Sequence, residues 1–235
     1  MEPRFGRVIT AMITPFAANG SLDLDGAVEL ARWLVEQGND GLVLAGTTGE
    51  SPTLTHDEQI ALVEAVVGAV DCHVIAGAGS NDTAAAVELT ERCTAAGADA
   101  ILTVTPYYNR PSQLGLFHHF RAVAETTTLP VMLYDIPTRS GRKIDTATIL
   151  RLADEVQNVV AVKDAAGDVS ETARLVAAVP EGFEVYSGED ALTLSLLAVG
   201  AVGVVSVASH WATPETVAMV DAFFSGDVAG AAAAN

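Results

Sequence analysis

The stretch His73–Pro106, HVIAGAGSNDTAAAVELTERCTAAGADAILTVTP, contains a strand, a helix and a second strand in succession. Residues 73–80 and 98–106 are short apolar runs, and Asp82 to Ala96 between them reads as a helix. Near-continuous apolar runs are typical of strands that are buried on both faces in a parallel sheet. The stretch therefore predicts one strand–helix–strand unit of a parallel sheet covered by helices.

The same alternation extends along the whole chain. The predicted strands are Val8–Pro15, Gly41–Thr48, His73–Ser80, 98–106, Pro130–Pro137, Val159–Gly167, Phe183–Asp190 and 201–210. Each is followed by a helix. The predicted helices are Asp25–Gln37, one opened by a capping box of Thr55 and Glu58, Asp82–Ala96, one that runs through Ala198, and others starting near Leu114, Thr146, Ser170 and Pro214.

Eight strand–helix repeats in 235 residues fit a closed barrel better than an open sheet. The main alternative, a doubly wound sheet, usually carries a glycine-rich phosphate motif after its first strand, and the sequence has neither G-x-G-x-x-G nor G-x-x-x-x-G-K. We predict an α/β fold with a single (β/α)8 TIM barrel domain over residues 1–235. The ending GDVAGAAAAN looks like the interior of a helix, so we expect a truncated C-terminus.

Composition excludes several classes of protein. Half of the residues are apolar, which excludes a disordered chain. With 12 basic and 30 acidic side chains, the net charge of −18 argues against a nucleic-acid partner. No apolar run approaches the length of a membrane helix, and the first residues do not resemble a signal peptide. We expect a cytoplasmic protein without a membrane or nucleic-acid partner.

Lys163, in VVAVKDAAG, is the most informative candidate, because the chain has only one other lysine, Lys143. Strand alternation predicts that Val159, Ala161, Lys163 and Ala165 share the inner face of the barrel, where two alanines leave room for a long side chain. Desolvation favours the neutral amine, which attacks carbonyl groups. The alternative is an ammonium group neutralised by Asp164 or another carboxylate.

Neighbouring strand ends supply further polar candidates, since barrel enzymes carry their chemistry at the carboxyl ends of the strands. Tyr134 can pass protons beside Lys163, or it is a core aromatic residue. Arg139 suits a substrate carboxylate, or it is an ordinary surface residue. The glycine-flanked Thr48 can offer hydroxyl and backbone donors to a small carboxylate. His118 and His119 match no metal-binding pattern, so we predict no metal site.

These segments closely resemble the dihydrodipicolinate synthase and N-acetylneuraminate lyase family of class I aldolases. The resemblance extends from about residue 6 to the end of the chain, and it rests on GTTGESPTLTHDE (46–58), VIAGAGSND (74–82), TVTPYYNRPSQ (103–113), LYDIPTRSG (133–141), VKDAAGD (162–168), YSGED (186–190) and GVVSV (203–207). Within this family, the chain resembles the synthase branch in two features, the double threonine Thr47–Thr48 and the arginine of TRSG, Arg139. That branch condenses pyruvate with L-aspartate 4-semialdehyde, a lyase reaction in lysine and diaminopimelate biosynthesis.

The resemblance implies the roles of the site residues. Lys163 would form the Schiff base with pyruvate without a separate cofactor, and Tyr134 would transfer protons. Thr47 would link Tyr134 to Tyr108, which members of the family receive from a neighbouring subunit, so a homodimer or homotetramer is expected. Substrate-binding roles would fall to Thr48, Arg139, Val205 and Gly188.

The resemblance also implies further helices after the barrel, which we expect to be missing from this chain. In addition, Gln59 and Ala85 stand where lysine-inhibited members have a histidine and an acid, so we expect weak or absent inhibition by lysine. Two alternatives remain: a 2-keto-3-deoxy sugar acid aldolase of the same family and a barrel scaffold without catalytic activity.

Overall fold

The structure, a computed structural model, describes residues 2–235 as a closed barrel of eight parallel strands in chain order. Strand β8 pairs with β1 and closes the barrel. The strands are β1 Val8–Ala11, β2 Gly41–Leu44, β3 His73–Gly77, β4 Ala100–Val104, β5 Val131–Asp135, β6 Val159–Asp164, β7 Glu184–Ser187 and β8 Gly203–Ser206. The predicted (β/α)8 TIM barrel is confirmed.

Helices surround the barrel. They are α1 Leu24–Glu36, α2 His56–Val67, α3 Thr83–Ala95, α4 Gln113–Ala124, α5 Pro137–Ser140, α6 Thr146–Glu155, α7 Val169–Ala178, α8 Thr193–Ala198, α9 Ser209–Ser225 and α10 Val228–Ala234. Thr55 and Glu58 form the predicted capping box of α2. Helix α9 kinks at Ala212, directly before the predicted start near Pro214. Asp227 caps α10, so the final residues form a short helix of their own.

Apolar side chains form two layers, one between the strands and the helices and one inside the barrel. The prediction for Val159 is wrong, because its side chain packs in the outer layer. A β-bulge in β6 pairs Val131 with Val159 but the next residue, Met132, with Ala161. The extra residue, Val160, shifts the side chain of Val159 to the outer face of the strand. Ala161 and Ala165, which follow the bulge, lie on the inner face as predicted.

Most strands end earlier than predicted, which shapes the carboxyl edge of the barrel. Strand β2 stops at Leu44 because Ala45 has a left-handed backbone, with φ of 50°, and the Gly-Thr-Thr-Gly segment is therefore a turn. Strand β7 stops at Ser187, so Glu189 and Asp190 belong to the following loop. None of the helices within residues 2–235 combines the length and the apolarity that a membrane crossing requires.

Candidate active site

A pocket of about 460 Å³ opens at the carboxyl ends of the barrel strands. Strands β2, β5, β6, β7 and β8 and the loops after them supply its walls. The residues that line it are Thr47, Thr48, Tyr134, Ile136, Thr138, Arg139, Lys163, Ala165, Gly188, Glu189, Asp190 and Val207. Six of the eight predicted site residues therefore surround one cavity.

Lys163 rises from β6 into the floor of this pocket and is 4% exposed. Its Nζ atom lies 4.4 Å from the ring centroid of Tyr134, its register partner on β5. Burial lowers the pKa of the Lys163 ammonium to about 8, an effect that Asp190 opposes and Arg139 reinforces. About a tenth of Lys163 is therefore a free amine at pH 7, far more than for a solvated lysine.

Asp164 does not neutralise Lys163. Its carboxylate accepts hydrogen bonds from the Thr172 hydroxyl at 2.6 Å and from the backbone N–H of Ala166 at 2.9 Å. Within residues 2–235, no carboxylate oxygen lies within ion-pair distance, 4.0 Å, of the Lys163 amine. The amine is thus available to a ligand in the pocket.

Tyr134 is 6% exposed, and its phenol faces the same pocket. Burial raises the pKa of the phenol, and the negative charge of Glu189 raises it further. Arg139 and a hydrogen bond from Thr47 lower the pKa and so offset part of this rise. The phenol is therefore protonated at neutral pH, with a cation and a hydroxyl nearby that stabilise its transient ionisation. These are suitable conditions for a group that donates a proton and takes it back.

Gly188 leaves space for the lysine side chain. A Cβ atom at this position would lie 2.9 Å from Cγ and 3.1 Å from Cε of Lys163, and 2.9 Å from the Cβ of Ala165. Contacts this short are repulsive, so any larger residue would displace the lysine stem. Besides lining the pocket, Gly188 thus determines where the amine of Lys163 can lie.

Charged side chains form the rim of the pocket. Arg139 stands in α5 after β5, and Glu189 and Asp190 follow β7. The Oδ2 atom of Asp190 accepts hydrogen bonds from the backbone N–H groups of Val207 and Ala208, both at 3.0 Å. The sequence reasoning assigned no role to the two acids, although their position directly after a barrel strand is the signal that could have identified them.

Two predicted site residues do not line the pocket. Val205 lies inside the barrel on β8, below the pocket, and its neighbour Val207 reaches the lining instead. Tyr108 is 90% exposed, with a left-handed φ of 70°, in the loop between β4 and α4. A second chain could therefore reach the Tyr108 phenol, whereas the pocket of the same chain does not contain it.

The other lysine occupies a different environment. Lys143 Nζ forms ion pairs with the buried carboxylate of Asp135 at 3.0 Å and with Glu171 at 3.5 Å. These acids also raise the pKa of the ammonium, against the effect of burial. Lys143 is therefore charged and engaged, which makes it a poor nucleophile compared with Lys163.

Comparisons with known proteins agree with this geometry. Residues 4–235 match the model of the "Dihydrodipicolinate synthetase family". A 4-hydroxy-tetrahydrodipicolinate synthase of Moorella thermoacetica is 56% identical over 232 residues, which cover 98% of this chain and 79% of the relative.

Solved structures give the same result. A dihydrodipicolinate synthase of Bacillus anthracis superposes with a TM-score of 0.96 at 47% identity, covering 99% of this chain and 80% of the other. The synthase of Cyanidioschyzon merolae, solved with lysine bound, superposes with a TM-score of 0.97 at 46% identity, again covering 99% and 80%. With a family match over residues 4–235, a relative at 56% identity and a buried lysine near the end of β6, this chain belongs to the dihydrodipicolinate synthetase family.

Proposed function

We propose that this chain is a 4-hydroxy-tetrahydrodipicolinate synthase that condenses pyruvate with L-aspartate 4-semialdehyde through a Schiff base on Lys163. The observation that carries the proposal is the buried, unpaired amine of Lys163, 4.4 Å from the Tyr134 ring in a pocket that also contains Thr47, Thr48 and Arg139. The names of its relatives in Moorella, Bacillus and Cyanidioschyzon support the same activity.

In the first stage, the neutral amine of Lys163 attacks the keto carbon of pyruvate, and loss of water gives an iminium ion. Tyr134 supplies the proton that the departing hydroxyl group needs. Thr48 holds the pyruvate carboxylate, and Gly188 keeps the lysine stem in position. No separate cofactor is needed, because the iminium ion itself is the electron sink.

In the second stage, the Tyr134 phenolate takes up a methyl proton, which converts the iminium ion into an enamine. The enamine carbon attacks the aldehyde, whose oxygen is protonated by Tyr134, and the amino group of the condensed adduct then displaces Lys163 as the free amine. Tyr134 exchanges protons through Thr47 and the Tyr108 of a neighbouring subunit. Arg139 receives the carboxylate of the incoming aldehyde through its planar guanidinium group. The arrangement therefore requires a homodimer or homotetramer, in which each pocket is completed by its neighbour.

Borohydride trapping tests the proposal. Pyruvate and borohydride together are expected to add a reduced pyruvyl group to Lys163, which peptide mass mapping locates, and Lys163→Ala is the control that forms no adduct. An adduct on Lys143, or none at all, would refute the assignment. Product analysis with aspartate semialdehyde and with 2-keto-3-deoxy sugar acids then separates the synthase from a sugar acid aldolase.

A further inference from the structure

Glu189 presents an unengaged carboxylate to the pocket. Its backbone is held in place, because its carbonyl accepts hydrogen bonds from the hydroxyls of Ser187 at 2.9 Å and Thr193 at 3.2 Å. Its side chain, by contrast, takes part in no hydrogen bond or ion pair recorded within residues 2–235. Asp190 differs, since its Oδ2 atom is occupied by two backbone N–H groups. The backbone of Glu189 is therefore fixed, whereas its exposed carboxylate is free to accept hydrogen bonds from a ligand.

Arg139 has the complementary arrangement on the other side of Lys163. It lines the same pocket, and its guanidinium forms no ion pair within 4.0 Å in residues 2–235. Arg139 follows β5 and Glu189 follows β7, while Lys163 belongs to β6 between them. A molecule that reacts at Lys163 thus meets a cation on one side and an anion on the other.

The charges of the loaded pocket favour a zwitterion. In the pyruvate adduct the iminium ion and the pyruvate carboxylate balance each other, and Arg139 balances one of the two acids that line the pocket. One negative charge is left over. An aldehyde with only a carboxylate would add to that excess, whereas an aldehyde with an ammonium and a carboxylate adds no net charge. Like charges brought together in a partly desolvated site are unfavourable.

We infer that Glu189 binds the α-ammonium group of the incoming aldehyde and selects α-amino aldehydes over aldehydes that lack the amine. A carboxylate can only accept hydrogen bonds, and an ammonium group offers three donors. Arg139 holds the carboxylate of the same molecule, so the two side chains recognise an amino acid head group from opposite sides. This inference rests on the proposed function and identifies the residue that determines its aldehyde specificity.

The test compares aspartate semialdehyde with succinic semialdehyde, which lacks the amine. Enzyme loaded with pyruvate is mixed with either aldehyde and quenched with borohydride, and the mass of the Lys163 peptide gives the rate at which the pyruvyl adduct becomes the condensed adduct. We expect Glu189→Gln to lower the ratio of the two rates, aspartate over succinic semialdehyde, about tenfold, because one charge-assisted hydrogen bond is lost. Glu189→Asp, which keeps the charge, should retain part of the preference.

Glu181→Gln is the matched control, because Glu181 is an exposed glutamate just before β7, at the opposite end of the barrel. It should leave the ratio unchanged. If Glu189→Gln leaves the ratio within twofold of the wild type, or lowers both rates equally, the inference is wrong while the proposed function stands. If wild-type enzyme forms no pyruvyl adduct, both are wrong.

Discussion

At the scale of single residues, the lowered pKa of Lys163 comes from what its neighbours lack. The inner face of β6 provides Ala161 and Ala165 instead of a carboxylate, and Asp164 is held on other donors. Desolvation of the ammonium group is therefore only partly compensated, by Asp190 in the pocket rim. The side chain of Asp190 thus raises the pKa of Lys163 and also holds the loop after β8 through two backbone hydrogen bonds.

The pKa of about 8 for Lys163 predicts the pH dependence of adduct formation. Below this pH the ammonium form dominates, so the second-order rate of pyruvyl trapping should rise about tenfold per pH unit and level off above pH 8. Because Asp190 raises the pKa of Lys163, Asp190→Asn should move the midpoint to lower pH. A wild-type midpoint near 10.5, the value for a solvated lysine, would contradict the burial argument.

Gly188→Ala should slow adduct formation without unfolding the barrel. The added methyl group would lie 2.9 Å from Cγ of Lys163 and has to move the lysine stem, so we expect a loss of about 10- to 100-fold in trapping rate, consistent with a misplaced catalytic group.

Gly68→Ala is the control for this substitution, because its Cβ would meet the nearest atom at an ordinary 3.6 Å and its φ of −73° suits alanine. Both variants should give far-ultraviolet circular dichroism like that of the wild type. Equal trapping rates for Gly188→Ala and the wild type would mean that the lysine stem has free space elsewhere.

At the scale of elements, the segment from β5 to α6 is held by a buried ion pair. Asp135, at the end of β5, is 1% exposed and accepts hydrogen bonds from Lys143 Nζ at 3.0 Å and from the backbone N–H of Ile144 at 3.1 Å. Burial raises the pKa of Asp135 to about 6 despite the ammonium group. The pair fastens the loop that carries Arg139 to the strand that carries Tyr134.

Lys143→Met should destabilise the protein in a pH-dependent way. At pH 8 the variant leaves a buried carboxylate without its cation, and we expect the free energy of unfolding to fall by about 3 kcal/mol. Lys143 lowers the pKa of Asp135, so without it that pKa should rise above 6 and the variant should lose most stability above pH 6. At pH 5 Asp135 is mostly protonated in both proteins, so the difference should shrink. Urea unfolding of wild type, Lys143→Met and Lys143→Arg at both pH values measures this.

A pH-independent loss would show that Asp135 does not drive the effect. Lys143→Met also leaves Lys163 as the only lysine of the chain, and pyruvyl trapping should still modify it.

At the scale of the whole molecule, Tyr108 is the residue that we propose acts in the pocket of a neighbouring subunit. A phenol that is 90% exposed and held on a left-handed backbone is a costly arrangement for an isolated chain. Its backbone N–H donates to the Ser140 carbonyl at 3.2 Å, which ties the loop to the segment carrying Arg139. The exposed ring would be covered if it enters the pocket of a neighbouring subunit, as proposed.

Subunit mixing tests this sharing. Lys163→Ala and Tyr108→Phe should each be almost inactive, but refolding an equal mixture should restore about a quarter of wild-type activity, since half of the dimers then contain one complete site. Mixing Lys163→Ala with Tyr134→Phe provides the comparison, because both defects lie in the same pocket and no hybrid site is complete. Failure of the first mixture to exceed the second would show that Tyr108 does not act across subunits.

Some features could be predicted from local sequence alone. Apolar runs separated by capped helices predict a parallel sheet covered by helices, and eight repeats without a glycine-rich phosphate motif favour a closed barrel over a doubly wound sheet. Strand ends were less predictable, since the left-handed turn at Ala45 ends β2 within a run that still looks like a strand. The bulge at Val160 was equally invisible, because it arises from pairing with β5 and not from the residues of β6.

The sequence by itself determined the barrel, the family resemblance and the identity of a lysine at a strand end. Only the tertiary structure decided that this lysine is unpaired, that Gly188 makes room for it, and that Arg139 and Glu189 flank it from β5 and β7. The physical reason is that periodicity and capping depend on neighbours along the chain, whereas desolvation, close approach and charge balance depend on residues brought together from distant strands.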